Sequence, residues 1–336
     1  MMMATAELIA ALPDAALVIG ADGVVSAANA PAQEALQIPP QGLIATTLIR
    51  HSGFVNALGE ARQAGQPVTT DIEIQGRPPR QFSAHLAPIG KGPEILVVLR
   101  DLTREQRIER MRSDFVANAS HEMRTPLAAI IGTIETLQGP ARNDAKARET
   151  FLETMLLQAR RMKRLIDDLL TLSRIELNEH VRPNARVDLL DVVRQAKSNL
   201  MALAKESNVD LKTEASRSTL VAGDADELLQ VTQNLIENAI KYGGGGGAVE
   251  ITCLEQKGSG VLRVQDFGRG IAEDHIPRLT ERFYRVSTQE SRARGGTGLG
   301  LAIVKHIISR HRGKLEISSQ LGKGSTFSVH IPRYVS

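Results

Sequence analysis

His121 has a carboxylate beside it and a hydroxyl one helical turn away. Glu122 follows it directly, and Thr125 lies four residues further along the chain. Residues four apart are neighbours on one face of a helix, so this hydroxyl can approach the imidazole. An imidazole with a carboxylate near one ring nitrogen keeps its other nitrogen nucleophilic at neutral pH. These three side chains therefore predict a nucleophilic histidine site.

A second polar set lies on a helix that the apolar pattern predicts over Ala225–Lys241. One face of this helix carries, at spacings of four, three and one residues, Asn234, Asn238, Lys241 and Tyr242. Amide oxygens with a lysine nearby suit Mg²⁺ and phosphate. Taken alone, the set is equally compatible with a solvated polar face near a helix end.

Glycines accompany a third set of candidate residues. Asp266 ends a predicted apolar strand, and Gly268 and Gly270 follow it, so the backbone can approach a flat ligand closely. Gly296–Gly300 opens a helix predicted over Leu299–Arg310, where backbone amides and the positive helix end face an anion. This loop lacks the Gly-Lys-Ser/Thr of a P-loop and the spacing of the dinucleotide fingerprint. The Asp-Phe-Gly sequence imitates the magnesium motif of eukaryotic protein kinases, but the other motifs of those kinases are missing.

The elements that position these residues fall into three predicted domains. Residues 1–103 alternate short β-rich runs with turns and short helices, which predicts a small α+β domain with an antiparallel sheet. Residues 104–180 form a hairpin of two long helices, predicted over Asp101–Leu137 and Asp144–Glu176. Residues 181–336 return to α/β, with three helices predicted over one mixed sheet.

Apolar residues at alternating spacings of four and three mark the hairpin as part of a bundle. With Met123 and Ile130 at heptad position a, His121 falls at position f, so we expect its imidazole to be exposed. The apolar stripe is about three positions per heptad wide, broader than a two-stranded seam needs. The hairpin must therefore pair with another, which predicts a homodimeric four-helix bundle. The positions of the stripe are Val116, Met123, Leu127, Ile130, Ile134 and Leu137, then Leu152, Met155, Leu156, Ala159, Met162, Ile166, Leu169 and Leu170.

The segment Ser120–Leu127 resembles the H box of sensor histidine kinases, and four further boxes follow in that family's order. These are an N box at Asn234–Tyr242, a first glycine box at Asp266–Gly270, an F box at Phe283–Arg285 and a second glycine box at Gly296–Leu301. Together they extend the resemblance over roughly residues 105 to 333. The preceding part resembles a PAS domain, including an Asp-x-Thr ending that commonly joins such domains to a signalling helix.

The resemblance implies a role for each candidate residue. His121 would accept the γ-phosphoryl group of MgATP, with Glu122 as general base or orienting hydrogen-bond acceptor. Thr125 would position water for dephosphorylation of the partner protein, and Asn238 would bind Mg²⁺. Supporting or nucleotide-binding roles follow for Asn234, Lys241, Tyr242, Asp266 (to the adenine amino group), Gly268, Gly270, Arg285 (to the γ-phosphate), Gly296, Thr297, Gly298, Leu299 and Gly300.

Two further segments lie between these boxes. Residues 286–295 are polar and are predicted to form a mobile ATP lid, in which Arg292 and Arg294 either contact the nucleotide or are ordinary solvated residues. The five consecutive glycines at 243–247 predict a flexible link.

In the PAS-like part, His51 and His85 lack a haem or metal spacing, so no signal can be assigned.

Composition excludes several other classes of protein. The 336 residues carry 41 Lys and Arg against 38 Asp and Glu, with 3% aromatic residues and no Trp, which argues against a nucleic-acid surface. The lone Cys253 excludes an intrachain disulfide and a cysteine-ligated zinc site. No apolar run approaches the roughly 18 residues of a membrane span. We therefore expect a cytoplasmic chain, either free or as the cytoplasmic part of a kinase anchored in the inner membrane.

The predicted architecture is a multidomain α+β protein: a PAS-like domain, a dimerising helical hairpin and a two-layer α/β ATP-binding domain of the Bergerat type. The resemblance implies a sensor histidine kinase, most similar to the phosphate-regulon type. It would pass its phosphoryl group to an aspartate in the receiver domain of a response regulator, and would also dephosphorylate that partner. An ATPase of the Bergerat superfamily and a non-catalytic signalling scaffold are the alternatives.

Overall fold

The computed structural model describes residues 7–76, 79–90, 92–214, 218–243, 247–287 and 296–335. Contacts divide the chain into two compact units, Met1–Ala117 and Asn118–Ser336. Most of the predicted lid, with Arg292 and Arg294, and the central glycines of the predicted link lie outside the described residues.

The first unit contains a five-stranded antiparallel sheet, with three helices between the described strands. The strand order is β2-β1-β5-β4-β3, and the core is filled by side chains such as Phe54 and Phe82, both fully buried. The predicted antiparallel sheet and short helices are therefore present. The elements are β1 (Ala15–Ile19), β2 (Val25–Ala28), α1 (Ala30–Leu36), α2 (Ala45–Leu48), α3 (Ser52–Ala64), β3 (Val68–Ile74), β4 (Arg80–Pro88) and β5 (Ile95–Asp101).

The Asp-x-Thr sequence at the end of β5 fixes the start of the following helix. The carboxylate of Asp101 accepts hydrogen bonds from the Thr103 amide at 2.9 Å and from the Arg80 guanidinium. The Thr103 hydroxyl accepts from the amide of Gln81 at 2.9 Å. Burial raises the pKa of Asp101, but the hydrogen bonds from Thr103 and Arg80 outweigh it and the pKa is lowered. The junction is therefore held by an ionised carboxylate between a strand and a helix.

Two long helices follow, α4 (Thr103–Gln138) and α5 (Ala145–Leu177). The Asp144 carboxylate caps α5 by accepting from the Ala147 amide at 2.9 Å. Pro126 lies inside α4 without ending it. Among the helices that the structure describes, none combines the length and hydropathy needed to cross a membrane.

The apolar side chains of the hairpin lie on two surfaces. On α5, Leu165, Leu172 and Ile175, which lie outside the predicted stripe, are buried within this one chain, and α5 packs against helix α8 (Gly300–Arg310). Several side chains of the predicted stripe are exposed, as expected if a second hairpin covers them. Between 40% and 53% of each is accessible for Leu127, Ile134, Leu152, Leu156, Ile166 and Leu170.

The rest of the second unit is a two-layer α/β fold. Its main sheet has the order β11-β12-β10-β9-β7, in which β7 and β9 are parallel and the other pairs antiparallel. A short 3₁₀ helix at Glu273–Arg278 was not predicted. The elements are β6 (Ala185–Asp188), α6 (Leu189–Glu206), β7 (Asp210–Glu214), β8 (Leu220–Gly223), α7 (Ala225–Tyr242), β9 (Ala248–Gln256), β10 (Ser259–Asp266), α8, β11 (Lys314–Gln320) and β12 (Gly324–Pro332).

The expectation of one mixed sheet was wrong, because β8 pairs with β6 in a separate two-stranded sheet. Strand β8 lies against β10 and β12 without joining their ladder. The contact is close: a Cβ atom added at Gly260 would lie 2.4 Å from a methyl carbon of Val221. Strand β6 has four residues and one buried side chain, Val187, so it is too short to show a periodic pattern.

Candidate active site

A cleft of about 200 Å³ lies in the second unit, among α7, the end of β10, the loop before α8 and helix α5. Most of the nucleotide-binding residues predicted from the sequence line it. They are Asn234, Asn238, Lys241, Tyr242, Asp266, Gly270, Arg285, Gly296, Thr297, Gly298 and Gly300.

Two predicted residues, Gly268 and Leu299, lie behind the lining of the cleft. A Cβ atom at Gly268 would lie 2.7 Å from the carbonyl oxygen of Tyr242, so the absence of a side chain lets the first glycine box pack against the end of α7. Leu299 is fully buried just before α8. Both residues therefore support the shape of the cleft from its far side.

Helix α7 presents its amides to the cleft because its other face is apolar. Asp224 caps it by accepting from the amides of Asp226 and Glu227. The Asn234 amide nitrogen donates to the carbonyl oxygen of Gly300 at 3.4 Å, which links α7 to the start of α8. The side chains buried behind the helix are Leu228, Val231, Thr232, Leu235, Ile236, Ala239 and Ile240.

Lys241, one turn after Glu237 on α7, pairs with that carboxylate at 2.6 Å. Arg164 of α5 lies 3.9 Å from the same carboxylate. The lysine predicted to meet phosphate is therefore held at the cleft wall by a carboxylate that sequence reasoning did not single out.

Asp266 is a buried carboxylate at the end of β10. Only 5% of the residue is accessible, and the carboxylate accepts from the Gly268 amide at 3.0 Å. Burial raises the pKa of Asp266, although hydrogen bonds from Gly268 and Ser325 oppose the shift. A Cβ atom at Gly270 would lie 2.0 Å from the Gln320 carbonyl oxygen, so only glycine fits there.

The F box and the second glycine box are held together through their backbones. The Phe283 amide donates to the Gly298 carbonyl oxygen at 2.8 Å. Gly298 has a φ of +75°, and a Cβ atom there would lie 2.9 Å from the Phe283 backbone. The Leu299 amide donates to the Thr297 hydroxyl at 3.3 Å, at the entry to α8. The predicted anion-binding loop thus has a defined backbone in contact with the F box.

Arg285 connects this loop to the residue beside His121. Its guanidinium donates to the two carboxylate oxygens of Glu122 at 3.0 and 3.3 Å and to the Thr297 carbonyl oxygen at 2.8 Å. Arg161 of α5 also donates to Glu122, at 3.0 Å. The Glu122 carboxylate therefore lies between a guanidinium of the hairpin and one of the F box.

The expectation of an exposed His121 is confirmed. His121, Glu122 and Thr125 are not among the residues that line the cleft, and only Glu122 is connected to it, through Arg285. The Thr125 hydroxyl donates to the backbone carbonyl oxygen of His121 at 3.3 Å.

Helix α5 contributes two cleft residues that sequence reasoning missed, Arg164 and Asp168. The Asp168 carboxylate accepts from the Thr297 hydroxyl at 2.7 Å. Burial raises the pKa of Asp168, and the hydrogen bond from Thr297 opposes the shift. A sequence signal existed, because Arg161, Arg164 and Asp168 are spaced three and four apart on one helix face beside the apolar row.

Two protein-family models match this chain. The model of the His Kinase A (phospho-acceptor) domain matches residues 111–178, and that of the histidine kinase-, DNA gyrase B- and HSP90-like ATPase matches residues 223–335. The phosphate regulon sensor protein PhoR of Pseudomonas aeruginosa is 38% identical over 96% of this chain and 73% of its own length.

Two further relatives cover smaller shares. The sensor-like histidine kinase SenX3 of Mycolicibacterium smegmatis is 39% identical over 71% of this chain and 62% of its own length. Among solved structures, the Acinetobacter baumannii histidine kinase AdeS has a TM-score of 0.51 and 28% identity, over 64% of this chain and 98% of that one.

Proposed function

This chain belongs to the sensor histidine kinase family and is an ATP-dependent kinase, and from that premise we propose which residues carry out its reaction. The γ-phosphoryl group of ATP is transferred to a ring nitrogen of His121 and then to an aspartate in the receiver domain of a response regulator. The observation that carries the proposal is the double contact of Arg285 with Glu122 beside His121 and with Thr297 in the glycine loop. The protein is of the phosphate-regulon type.

In the first step, a lone pair on one imidazole nitrogen of His121 attacks the γ-phosphorus. A nitrogen–phosphorus bond forms while the bond from the γ-phosphorus to the bridging oxygen breaks, and ADP leaves with that electron pair. The other ring nitrogen either loses its proton to Glu122 or is held in orientation by donating a hydrogen bond to Glu122. Arg285 and Lys241 offset the charge on the transferring group.

The cleft offers oxygen ligands of the kind that Mg²⁺ prefers. Asn238 and Asn234 present side-chain amides to the cleft, with Glu237 on the same helix. We assign the metal to Asn238, with Asn234 in support. When bound, Mg²⁺ neutralises part of the phosphate charge. The buried carboxylate of Asp266, at the end of β10, accepts a hydrogen bond from the adenine amino group.

Partners and domains complete the proposal. Two hairpins form a homodimeric four-helix bundle through the exposed apolar side chains of α4 and α5. Thr125 positions water when the kinase dephosphorylates its response regulator.

The domains are a PAS-like domain at 1–103, the hairpin at 104–180 and the ATP-binding domain at 181–336. We place this chain in the cytoplasm, free or as part of a membrane-anchored kinase.

Incubation with γ-labelled ATP tests the function. We expect acid-labile, alkali-stable protein-bound phosphate, absent from His121→Ala and retained by His180→Ala, which removes another exposed histidine. Rapid ATP turnover without bound label would indicate an ATPase of the Bergerat superfamily. No nucleotide binding at all would indicate a scaffold.

A further inference from the structure

The Glu122 carboxylate has two guanidinium partners that come from different parts of the second unit. Arg285 belongs to the F box, at the ATP cleft, and Arg161 lies on α5, inside the hairpin. Both approach Glu122 to 3.0 Å. The two arginines differ in where they lie, because Arg285 lines the cleft and Arg161 does not.

All three side chains are largely removed from solvent. The accessible fractions are 13% for Glu122, 12% for Arg161 and 5% for Arg285. A carboxylate in such surroundings stays charged and ordered only while it is paired. Loss of both guanidiniums would remove the two charge-assisted contacts that orient Glu122 beside His121.

Arg285 has a second task at the cleft. It lines the cleft, it holds the Thr297 carbonyl oxygen, and its buried Nε atom has no hydrogen-bond partner among the described residues. A guanidinium with an unused donor, next to the loop that faces the phosphates, can turn toward the γ-phosphate. When it does so, its contacts with Glu122 weaken.

Arg161 does not line the cleft, and its bond to Glu122 connects α5 to α4 within the hairpin. We infer that Arg161 is a positioning residue for phosphoryl transfer: it keeps Glu122 aligned beside His121 while Arg285 moves to the γ-phosphate. The inference rests on the proposed role of Glu122.

The test is the steady rate of autophosphorylation of the full chain. Arg161→Ala should lower kcat about tenfold or more and leave the KM for ATP within about twofold of wild type, because the change lies outside the cleft. Arg161→Lys keeps the charge without the planar fork and should recover part of the rate. Arg160→Ala, which removes the exposed arginine next to it, should behave as wild type.

A double-mutant cycle with Glu122→Gln separates positioning from simple stabilisation. If Arg161 acts through Glu122, adding Arg161→Ala to Glu122→Gln should slow the reaction by less than about twofold further. An equal loss of rate in both backgrounds, or a raised KM for ATP in Arg161→Ala, would overturn the inference. Melting curves of each variant reveal any folding defect. If Arg161→Ala has one, the test depends on Arg161→Lys. A rate for Arg161→Lys equal to that of Arg161→Ala would also overturn the inference.

Failure of the inference and failure of the proposed function give different results. If Glu122→Gln is slow while Arg161→Ala has the wild-type rate, the positioning role is wrong and the role of Glu122 stands. If Glu122→Gln has the wild-type rate, the roles of Glu122 and Arg161 both fall while transfer to His121 stands. Absence of label from the wild-type chain would contradict the proposed function itself.

Discussion

At the scale of single residues, Asp266 shows how the cleft gives up stability for binding. Its carboxylate is buried, and it accepts hydrogen bonds from Gly268 and Ser325. The free energy that burial costs can be recovered when a ligand donor, such as the adenine amino group, reaches the remaining oxygen lone pairs. A buried acceptor at this place therefore favours a nucleotide over water.

The raised pKa of Asp266 leads to a pH-dependent prediction. Nucleotide affinity should fall as the pH drops through this raised value, at a higher pH than an ordinary aspartate would produce. The same shift makes ionised Asp266 a cost to folding above its pKa, so its protonation relieves that cost and does not unfold the chain. Titration with a fluorescent ATP analogue, followed together with circular dichroism, should show binding lost before secondary structure.

The control is Asp266→Asn, which removes the titrating group. Its affinity should be at least about tenfold lower at neutral pH, from the roughly 1.5–3 kcal/mol of a hydrogen bond to a charged group, and should lack the pH step. A step of the same size in the variant would assign the titration to another residue.

Residue-level prediction from sequence succeeded where local spacing determines position. The amides of α7 share a face because they lie four residues apart. Gly270 and Gly298 were found from the spacing within their boxes, although the contacts that require them come from Gln320 and Phe283, which lie outside those boxes. Arg161, Arg164 and Asp168 were missed because their partners lie far away in the chain. Thr297 is 129 residues from Asp168, and no local pattern records such a pairing.

At the scale of elements, α5 organises the glycine loop that begins α8. The Asp168 carboxylate accepts a hydrogen bond from the Thr297 hydroxyl. The Thr297 oxygen therefore has a lone pair available to accept from the Leu299 amide. A neighbouring contact, between Arg282 and Glu176, also connects α5 to the residue before the F box. The loop is therefore ordered partly by the hairpin.

We predict that Asp168→Ala loosens this loop. Amide hydrogen exchange across residues 296–300 should become faster, because the loop loses a hydrogen bond to a charged group. Asp167→Ala is the matched control, since Asp167 is exposed and pairs with Lys163 on its own helix. Equal exchange in the two variants would show that Asp168 does not order the loop.

The element boundaries were predicted closely wherever an element is long and periodic. The two hairpin helices agree with their predicted ends to within two residues, because heptad spacing persists over several turns of each helix. Strand β8 was predicted in the wrong sheet. The pairing partner of such a short strand depends on tertiary packing, here the close contact of β8 with Gly260, and this contact leaves no local sequence pattern.

At the scale of the whole molecule, α5 divides its apolar side chains between two tasks. Leu172 is fully buried within the chain, whereas Leu170, two residues earlier, is 53% exposed. The first belongs to the fold of one chain. The second has the exposure expected of a side chain that a second hairpin covers.

These two leucines make a matched pair. Leu172→Ala should lower the free energy of unfolding by about 2–5 kcal/mol. Leu170→Ala should leave the fold of each chain intact and raise the dissociation constant of the homodimer. Thermal melting and sedimentation equilibrium measure the two effects, and a stable monomer in the wild type would contradict the proposed four-helix bundle.

The central claim is that the phosphoryl group of ATP is transferred to His121. Mass spectrometric mapping of the chain after incubation with ATP, with digestion kept at alkaline pH, locates the group directly. The account predicts phosphate on the imidazole of His121. Phosphate on the neighbouring Ser120, or on any other residue while His121 stays unmodified, would contradict it.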